Sequence, residues 1–369
     1  MSKTPLYYTI YQQLQSDIRS GKYPLGANLP TDHILSEQFN VSVITIKKAM
    51  ELLSADGYIT RKPRKGTTVT ATTPLEPQPT NHSHLLFGLV TTNFTDYFGT
   101  TILRSILYAE PDKVDFIVKI SYGDRQVESQ AINELIAMGV QGLIILPTSS
   151  EYVSPKLIEL IAKNFPVVVL DRLMGELPIS SVKTNNEVAA KALTDYLIDR
   201  GHTHLGMINA NSAVTTIDER ITGFISAQIE HQLPFSRTQI FSQVSSVVPN
   251  SAGKLAEDVA KIKQFLLADP AITALVCSEF NVALLAQRAL EQLHKVIPRD
   301  VSVVCFDSPA RNEFDPHPFT FTHIEQDENE IGRTAVNLLI KKYREPKFFE
   351  KVNLSFKLIE GDTVAPNHL

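Results

Sequence analysis

The sequence predicts an α/β protein in two unequal parts, a small helical head and a large body built on parallel sheet in two lobes. Three observations carry that expectation. In the head, apolar side chains recur at the three-to-four spacing of helices; the stretch 71–84 bears prolines and has no apolar period; and from Leu85 onward continuous apolar runs alternate with amphipathic segments. With 369 residues, 43% hydrophobic and 20% charged, the chain has ordinary globular composition and length for two or three domains. Its two cysteines, Cys277 and Cys305, each lie in an apolar run, which predicts buried thiols in a reducing compartment rather than a disulfide framework. The first residues lack the apolar stretch of a secretion signal, and no run approaches about 18 uncharged apolar residues. The expectation is a cytoplasmic protein with no membrane partner.

Taken in order, Tyr7, Ile10, Tyr11, Leu14 and Ile18 mark a first helix that stops at Gly21. Thr31 is placed to cap a second short helix, with Ile34, Leu35 and Phe39 as its apolar side and Asn40 at its end. Ser42 is placed to cap a third, in which Ile46, Ala49, Met50 and Leu53 form one buried stripe before Asp56-Gly57. Two short helices around the tight Asn40-Val41-Ser42 turn read as helix-turn-helix. Opposite the buried stripe stand Ile44, Lys47, Lys48 and Glu51, a face suited to phosphates. Residues 58–69 form two strand-like runs around a turn that carries Arg61, Lys62, Arg64 and Lys65, which predicts a hairpin with a cationic tip and makes the head a winged helix-turn-helix. Charge agrees: residues 1–70 hold nine basic against five acidic side chains, net +4, and the rest carries −9 of a total of −5.

The segments Pro5-Leu-Tyr, Ile18-Arg-Ser-Gly-Lys-Tyr-Pro-Leu-Gly-Ala-Asn-Leu-Pro30, Val41-Ser-Val-Ile-Thr-Ile-Lys-Lys-Ala-Met-Glu-Leu-Leu53 and Lys65-Gly-Thr67 resemble the DNA-binding domain of the GntR family of bacterial transcription regulators. The resemblance implies DNA contact from the start of helix two (Thr31, His33), the start of the recognition helix (Ser42, Val43, Thr45, Lys47) and the wing tip (Arg64, Lys65, Gly66). The chain departs from the family in having His33 and Val43 where Arg is usual and Arg64 where Gly is usual. Bidentate guanine readout by arginine is therefore absent at position 43, and Val43 and Ile44 have thymine methyls as apolar partners in the groove. The competing reading of Val43 is packing inward.

Residues 71–84 include Pro74, Pro77 and Pro79 and predict an extended connector, dividing a domain 1–70 from a body 85–369. In the body Leu85–Val90, Phe116–Ile120, Gly142–Leu146, Pro166–Leu170, His204–Ile208, Thr273–Cys277 and Val301–Phe306 read as strands; their unbroken apolar character predicts a parallel sheet covered on both faces. The segments Met138-Gly-Val-Gln-Gly-Leu-Ile-Ile145, Val167-Val-Val-Leu-Asp-Arg172, Leu197-Ile-Asp-Arg-Gly-His-Thr-His-Leu-Gly206, Glu219-Arg-Ile-Thr-Gly-Phe224, Val282-Ala-Leu284 and Ile297-Pro-Arg-Asp-Val-Ser-Val-Val-Cys-Phe-Asp307 resemble the sugar-responsive domain of the LacI family. That resemblance implies a two-lobed periplasmic-binding-protein-like α/β domain, and a GntR head on such a body is the arrangement of the arabinose repressor group.

Ligands in open α/β sheets bind beyond the carboxyl ends of strands. That rule selects Asn93, Asp96, Tyr97, Arg125, Arg172, Arg220, Glu279, Phe280 and Asp307. By resemblance Arg220 and Asp307 occupy effector-contacting positions, and Gln326 a polar position near the cleft; Glu279-Phe280 departs from the usual Asn-Asp. The expectation is a dimeric regulator, probing double-stranded operator DNA with its heads and a small sugar with its body. A sugar phosphate is the rival ligand, because Arg125 and Arg172 add guanidiniums beside Arg220. No cofactor is expected. Catalysis is disfavoured by the absence of G-x-S-x-G, G-x-x-x-x-G-K-[ST] and G-x-G-x-x-G, and the H-x-H pairs His82/His84 and His202/His204 lack a third metal ligand and are expected at the surface or at helix ends.

Overall fold

The computed structural model describes residues 6–62, 66–72, 84–95, 98–175, 177–309, 314 and 319–367. The chain divides into two compact units, Met1–Ser83 and His84–Leu369. Each is described by itself.

In the first unit α1 (Leu6–Arg19) buries Ile10, Tyr11, Leu14 and Ile18, the spacing of the sequence pattern. The chain leaves it through Gly21 at φ +82°, a left-handed turn that costs glycine nothing. Thr31 caps α2 (Asp32–Phe39) by accepting the Ile34 N–H, and Asn40 ends it in the left-handed region at φ 51°. Ser42 caps α3 (Val43–Ala55) by accepting the Thr45 N–H. Leu14, Ile18, Leu35, Ile46, Met50, Leu53 and Tyr58 form one core between these helices and the wing. Ile34 is not part of it: at 45% exposure it lies one helical step, about 100°, from the buried Leu35. The wing pairs β1 (Ile59–Lys62) antiparallel with β2 (Gly66–Val69), matching Ile59 with Val69 and Lys62 with Gly66. Its turn residues Arg64 and Lys65 lie outside the described residues.

The second unit holds two six-stranded sheets. Lobe one orders β13 (Lys351–Leu354), β7 (Ser180–Thr184), β6 (Val167–Leu170), β5 (Gly142–Ile145), β3 (Leu85–Thr91) and β4 (Val114–Ile120), all parallel. Adjacent residues sort to opposite faces: Phe87, Leu89, Ile144 and Val168 pack on α4 (Thr100–Tyr108) and α11 (Glu328–Arg344). Val90, Leu143, Ile145, Val167 and Val169 pack on α5 (Arg125–Ala137) and α6 (Pro155–Ala162). Lobe two orders β14 (Phe356–Ile359), β12 (Thr322–Gln326), β11 (Ser302–Phe306), β10 (Ala274–Cys277), β8 (Leu205–Ala210) and β9 (Ile240–Val244), with only β14 antiparallel to its neighbour. Met207, Val276, Val304 and Phe306 face α7 (Asn186–Ile198) and α8 (Thr215–Glu230); Ile208, Leu275, Cys277 and Cys305 face α9 (Leu255–Ala268) and α10 (Phe280–Gln292).

All seven apolar runs are strands, and their continuity reflects helices on both faces. The runs did not mark β7, β9, β12, β13 and β14. The cause in β7 is chemical: Ser180, Ser181, Lys183 and Thr184 are buried polar residues. The chain passes between lobes three times, at Asn185 after β7, at Asp327 after β12 and at Ser355 between β13 and β14. No helix among the described residues is long and apolar enough to cross a membrane.

One close approach fixes the orientation of α8. A Cβ on Gly223 would collide with the Glu187 carbonyl oxygen of α7 and come within 2.8 Å of the Lys191 nitrogen. Gly223→Ala is expected to destabilise the body by about 1–3 kcal/mol, the usual cost of overpacking. Urea unfolding reads this as a lower midpoint at unchanged m; an unchanged midpoint would mean that α7 and α8 separate freely.

Candidate functional site

Both sheets present the carboxyl ends of their parallel strands to one cleft between the lobes. Lobe one contributes the loop after β3, with Thr92, Asn93, Phe94 and Phe98, and the turn after β6, with Asp171 and Arg172. Lobe two contributes Ser212, Thr216 and Arg220 around the start of α8, then Ser278, Glu279, Asp307 and Gln326 from the ends of β10, β11 and β12. Apolar walls come from Leu146, Leu170, Val214, Val247 and the two phenylalanines.

Arg220 is buried and held on three sides. Its Nε donates to Asn186 Oδ1 at 2.9 Å, its NH1 donates to the Ser278 carbonyl oxygen, and its Cζ lies 3.7 Å from the Phe306 ring centre. Gln326 Nε2 donates to both carboxylate oxygens of Asp307, at 2.9 and 3.2 Å, and Asp307 takes the left-handed backbone at φ 61°. An Arg172 N–H donates to the Pro147 carbonyl oxygen. Four buried polar atoms of cleft residues have no hydrogen-bond partner among the described residues: Asp171 Oδ1, Arg172 Nε, Glu279 Oε1 and Gln326 Oε1. A buried polar atom without a partner costs about 1–3 kcal/mol, so this concentration of acceptors around one donor marks a surface shaped for a polar guest. Burial pushes the carboxyls of Asp307 and Glu279 up to about 7; Arg220 pulls both back, and Arg172 also acts on Glu279.

Of the ten residues expected here, the cleft gathers Asn93, Arg172, Arg220, Glu279, Asp307 and Gln326. Asp96 and Tyr97 lie outside the described residues. Arg125 is elsewhere: as the first residue of α5 it donates to Ser149 Oγ at 3.2 Å, stacks at 5.2 Å on Tyr152 and lines a separate shallow hollow. Phe280 does not line the cleft either. It opens α10 and turns into the core behind β10, edge-on to Phe321 at 5.9 Å. Sequence reasoning missed Asp171, although it precedes Arg172 at a strand end; its left-handed φ of 59° turns it into the cleft. It also missed Phe94 and Phe98, which supply the aromatic surface, and Asn186, whose role depends on a contact across the fold. His202 is buried rather than on the surface, its ring between Thr273 Oγ1 and the Ala365 carbonyl.

In the head, Ser42 and Thr45 share a hydroxyl contact at 2.8 Å at the start of α3. Ile44 beside them is 78% exposed and Val43 half-buried. Lys47 and Lys48 are exposed, and Lys48 Nζ sits 4.6 Å from the Tyr7 ring centre. His33 is exposed with Nδ1 3.3 Å from Glu37 Oε1, and Gly66 opens β2 at φ +86°. The exposed, capped start of α3 therefore combines backbone N–H groups, hydroxyls, cations and one large apolar side chain.

Residues 6–69 match the bacterial regulatory proteins of the gntR family, and residues 194–364 match the periplasmic binding protein-like domain. The chain is 27% identical over 351 residues, 91% of each protein, to the arabinose metabolism transcriptional repressor of Geobacillus stearothermophilus. It is 29% identical over 266 residues, 70% of this chain and 73% of the relative, to the probable HTH-type transcriptional regulator EndR of Paenibacillus polymyxa. Among solved structures, transcription regulator CcpA of Lactococcus lactis aligns with TM-score 0.64 at 21% identity, over 76% of this chain and 99% of its own. A LacI family transcriptional regulator from Enterococcus faecium with bound ribose aligns with TM-score 0.62 at 24% identity, again over 76% and 99%. These two structural likenesses concern the fold.

The raised carboxyls make stability depend on pH. The folded protein holds protons on Asp307 and Glu279 that the unfolded chain gives up nearer pH 4, so stability falls as pH rises from about 4 to about 7. Each group contributes at most about 1.4 kcal/mol per pH unit in that window. Asp307→Asn is expected to flatten the fall in urea midpoint between about pH 5.5 and 7.5; an identical fall in variant and wild type would place the Asp307 carboxyl at its ordinary value.

Proposed function

We propose that this chain, a ligand-responsive transcription regulator joining a GntR-family DNA-binding head to a periplasmic-binding-protein-like body, represses genes of carbohydrate use and leaves its operator when a small neutral sugar fills the cleft. It is a regulator, not an enzyme. The observation that carries the ligand assignment is the set of unpartnered atoms on Asp171, Arg172, Glu279 and Gln326. Vicinal hydroxyls both donate and accept, and so suit three carboxyl groups and two guanidiniums gathered in one cleft from both lobes, while Phe94 and Phe98 offer a face for the ring.

Charge supports a neutral ligand over a phosphate. Asp171, Glu279 and Asp307 stand beside Arg172 and Arg220, and with the carboxyls of Glu279 and Asp307 raised to about 7 the cleft carries no net positive charge, while Arg125, the third guanidinium expected from the sequence, lines another hollow. A dianion in that setting finds no excess of cations to hold it, which a neutral polyol does not need. The naming of one relative for arabinose metabolism and the ribose in another protein's structure make pentoses the first ligands to try. The head acts as one half of a homodimer on double-stranded DNA, with Lys47 on phosphate and Ile44 against a base edge. The two thiols, Cys277 and Cys305, are free and buried, in keeping with a cytoplasmic address.

Calorimetry with matched pentoses and pentose 5-phosphates is expected to give the tighter binding to the neutral sugar. Arg220→Ala should weaken it about ten- to a hundred-fold, the loss of a charge-assisted contact worth roughly 1.5–3 kcal/mol. Tighter binding of the phosphate would overturn the neutral-sugar assignment. On DNA, Lys47→Ala should lower affinity for every sequence and reduce the salt slope by about 0.9, whereas Ile44→Ala should keep the slope and lose preference for thymine at one position of each half-site. An unchanged slope in Lys47→Ala would remove that lysine from the phosphate contacts.

A further inference from the structure

A buried ion pair joins the lobes directly behind the cleft. Lys183, the penultimate residue of β7 in lobe one, places Nζ 2.6 Å from both carboxylate oxygens of Glu219 on α8 in lobe two. The Lys183 side chain is 8% exposed and that of Glu219 21%. Charges withdrawn from water this far carry a desolvation penalty that their attraction often only balances, so such a pair is weak evidence for stability alone.

The neighbours of Glu219 give the pair a task. Asn186 Nδ2 donates to the Thr184 carbonyl at 3.1 Å and to Glu219 Oε2 at 3.4 Å. With its amino group held by two acceptors, the fully buried Asn186 amide has one way to face, and its Oδ1 receives Arg220 Nε at 2.9 Å. An amide turned the other way would set Nδ2 against Nε, donor against donor. The line therefore runs from Lys183 through Glu219 and Asn186 to Arg220, and it begins on the lobe whose first strand follows the connector from the head.

We propose that Lys183 and Glu219 are a positioning pair, which through the Asn186 amide orients Arg220 for the effector and ties that orientation to the relation between the lobes. This rests on the cleft being the effector site. The signal is specific to side-chain polarity and not to bulk: what matters is that position 219 presents an acceptor to Asn186 and that position 183 holds that acceptor in place.

Reversing the pair separates this role from a simple clamp. The double variant Lys183→Glu with Glu219→Lys keeps an ion pair between lobes, but the new ammonium offers only donors and draws Asn186 Oδ1 away from Arg220. Two readouts apply to the full chain. In the absence of sugar, the side-chain Nε–H resonance of Arg220, identified by its loss in Arg220→Lys, is expected to exchange slowly with water in the wild type and at least about tenfold faster in the reversed variant, as its acceptor is removed. With L-arabinose and D-ribose as probes, the reversed variant is expected to bind at least about tenfold more weakly than wild type at a similar melting temperature, or a loss of about 1.4 kcal/mol. If neither pentose binds the wild type, the pentose assignment falls and the exchange measurement still decides the positioning pair. Should the reversed chain not fold, Lys183→Met with Glu219→Met takes its place, which removes the acceptor at 219 without adding a charge, with faster Nε–H exchange again expected. Slow Nε–H exchange retained in the variant overturns the proposal, as does wild-type pentose affinity.

Discussion

Parallel strands all end on the same edge of their sheet, and in the body that single constraint decides where everything else goes. Two such sheets, joined by three crossings at Asn185, Asp327 and Ser355, bring their carboxyl edges to one cleft. Loops and helix starts, with their unsatisfied N–H groups, gather there because hydrogen-bonded strands end there. The turns after β6 and β11 adopt left-handed backbone at Asp171 and Asp307, which moves two carboxylates from the strand direction into the cleft. The cost falls on the folded state without ligand: carboxyls short of water and of partners, and polar atoms with nothing opposite them. A binding site of this sort is destabilised in order to be selective.

The head follows a different constraint. Its helices are short, and α2 has only eight residues, too few to stand without tertiary support. Thr31 and Ser42 satisfy orphan N–H groups at the starts of α2 and α3 while Leu35, Ile46 and Met50 anchor them to α1. With the core so small, the residues left outside it are conspicuous. Ile44 is the large apolar side chain that the helix exposes at its leading end, and Lys47 and Lys48 follow on the same surface.

Much of this was legible in the sequence, for reasons that can be named. Strands covered on both faces read as unbroken apolar runs, so the seven central ones stood out. Strand β7 did not, since four of its five residues are Ser, Lys or Thr, and Ser180 and Lys183 meet their partners, the Glu350 N–H and the Glu219 carboxylate, only after folding; β13 and β14 are half-exposed edges. Among cleft residues, Arg220, Asp307 and Gln326 were found because a strand end or a family position pointed to them. Arg125 and Phe280 also follow strands, but each is the first residue of a helix, and the rotation at that point carried one toward Ser149 and the other into the core behind β10. The roles of Asn186 and Lys183 were out of reach, because both depend on pairs more than thirty residues apart in sequence.

The last two strands along the chain have a consequence for synthesis. β13 closes one edge of the first sheet and β14 one edge of the second, and both lie within residues 351–359. The head is complete once about 70 residues have left the ribosome, whereas neither lobe can finish its sheet until nearly all the rest has followed. At about 5–20 residues per second, folded heads therefore precede the regulated body by on the order of fifteen seconds to a minute. Until then a nascent chain carries a DNA-binding surface with no cleft to govern it, and an edge strand short in each of its sheets.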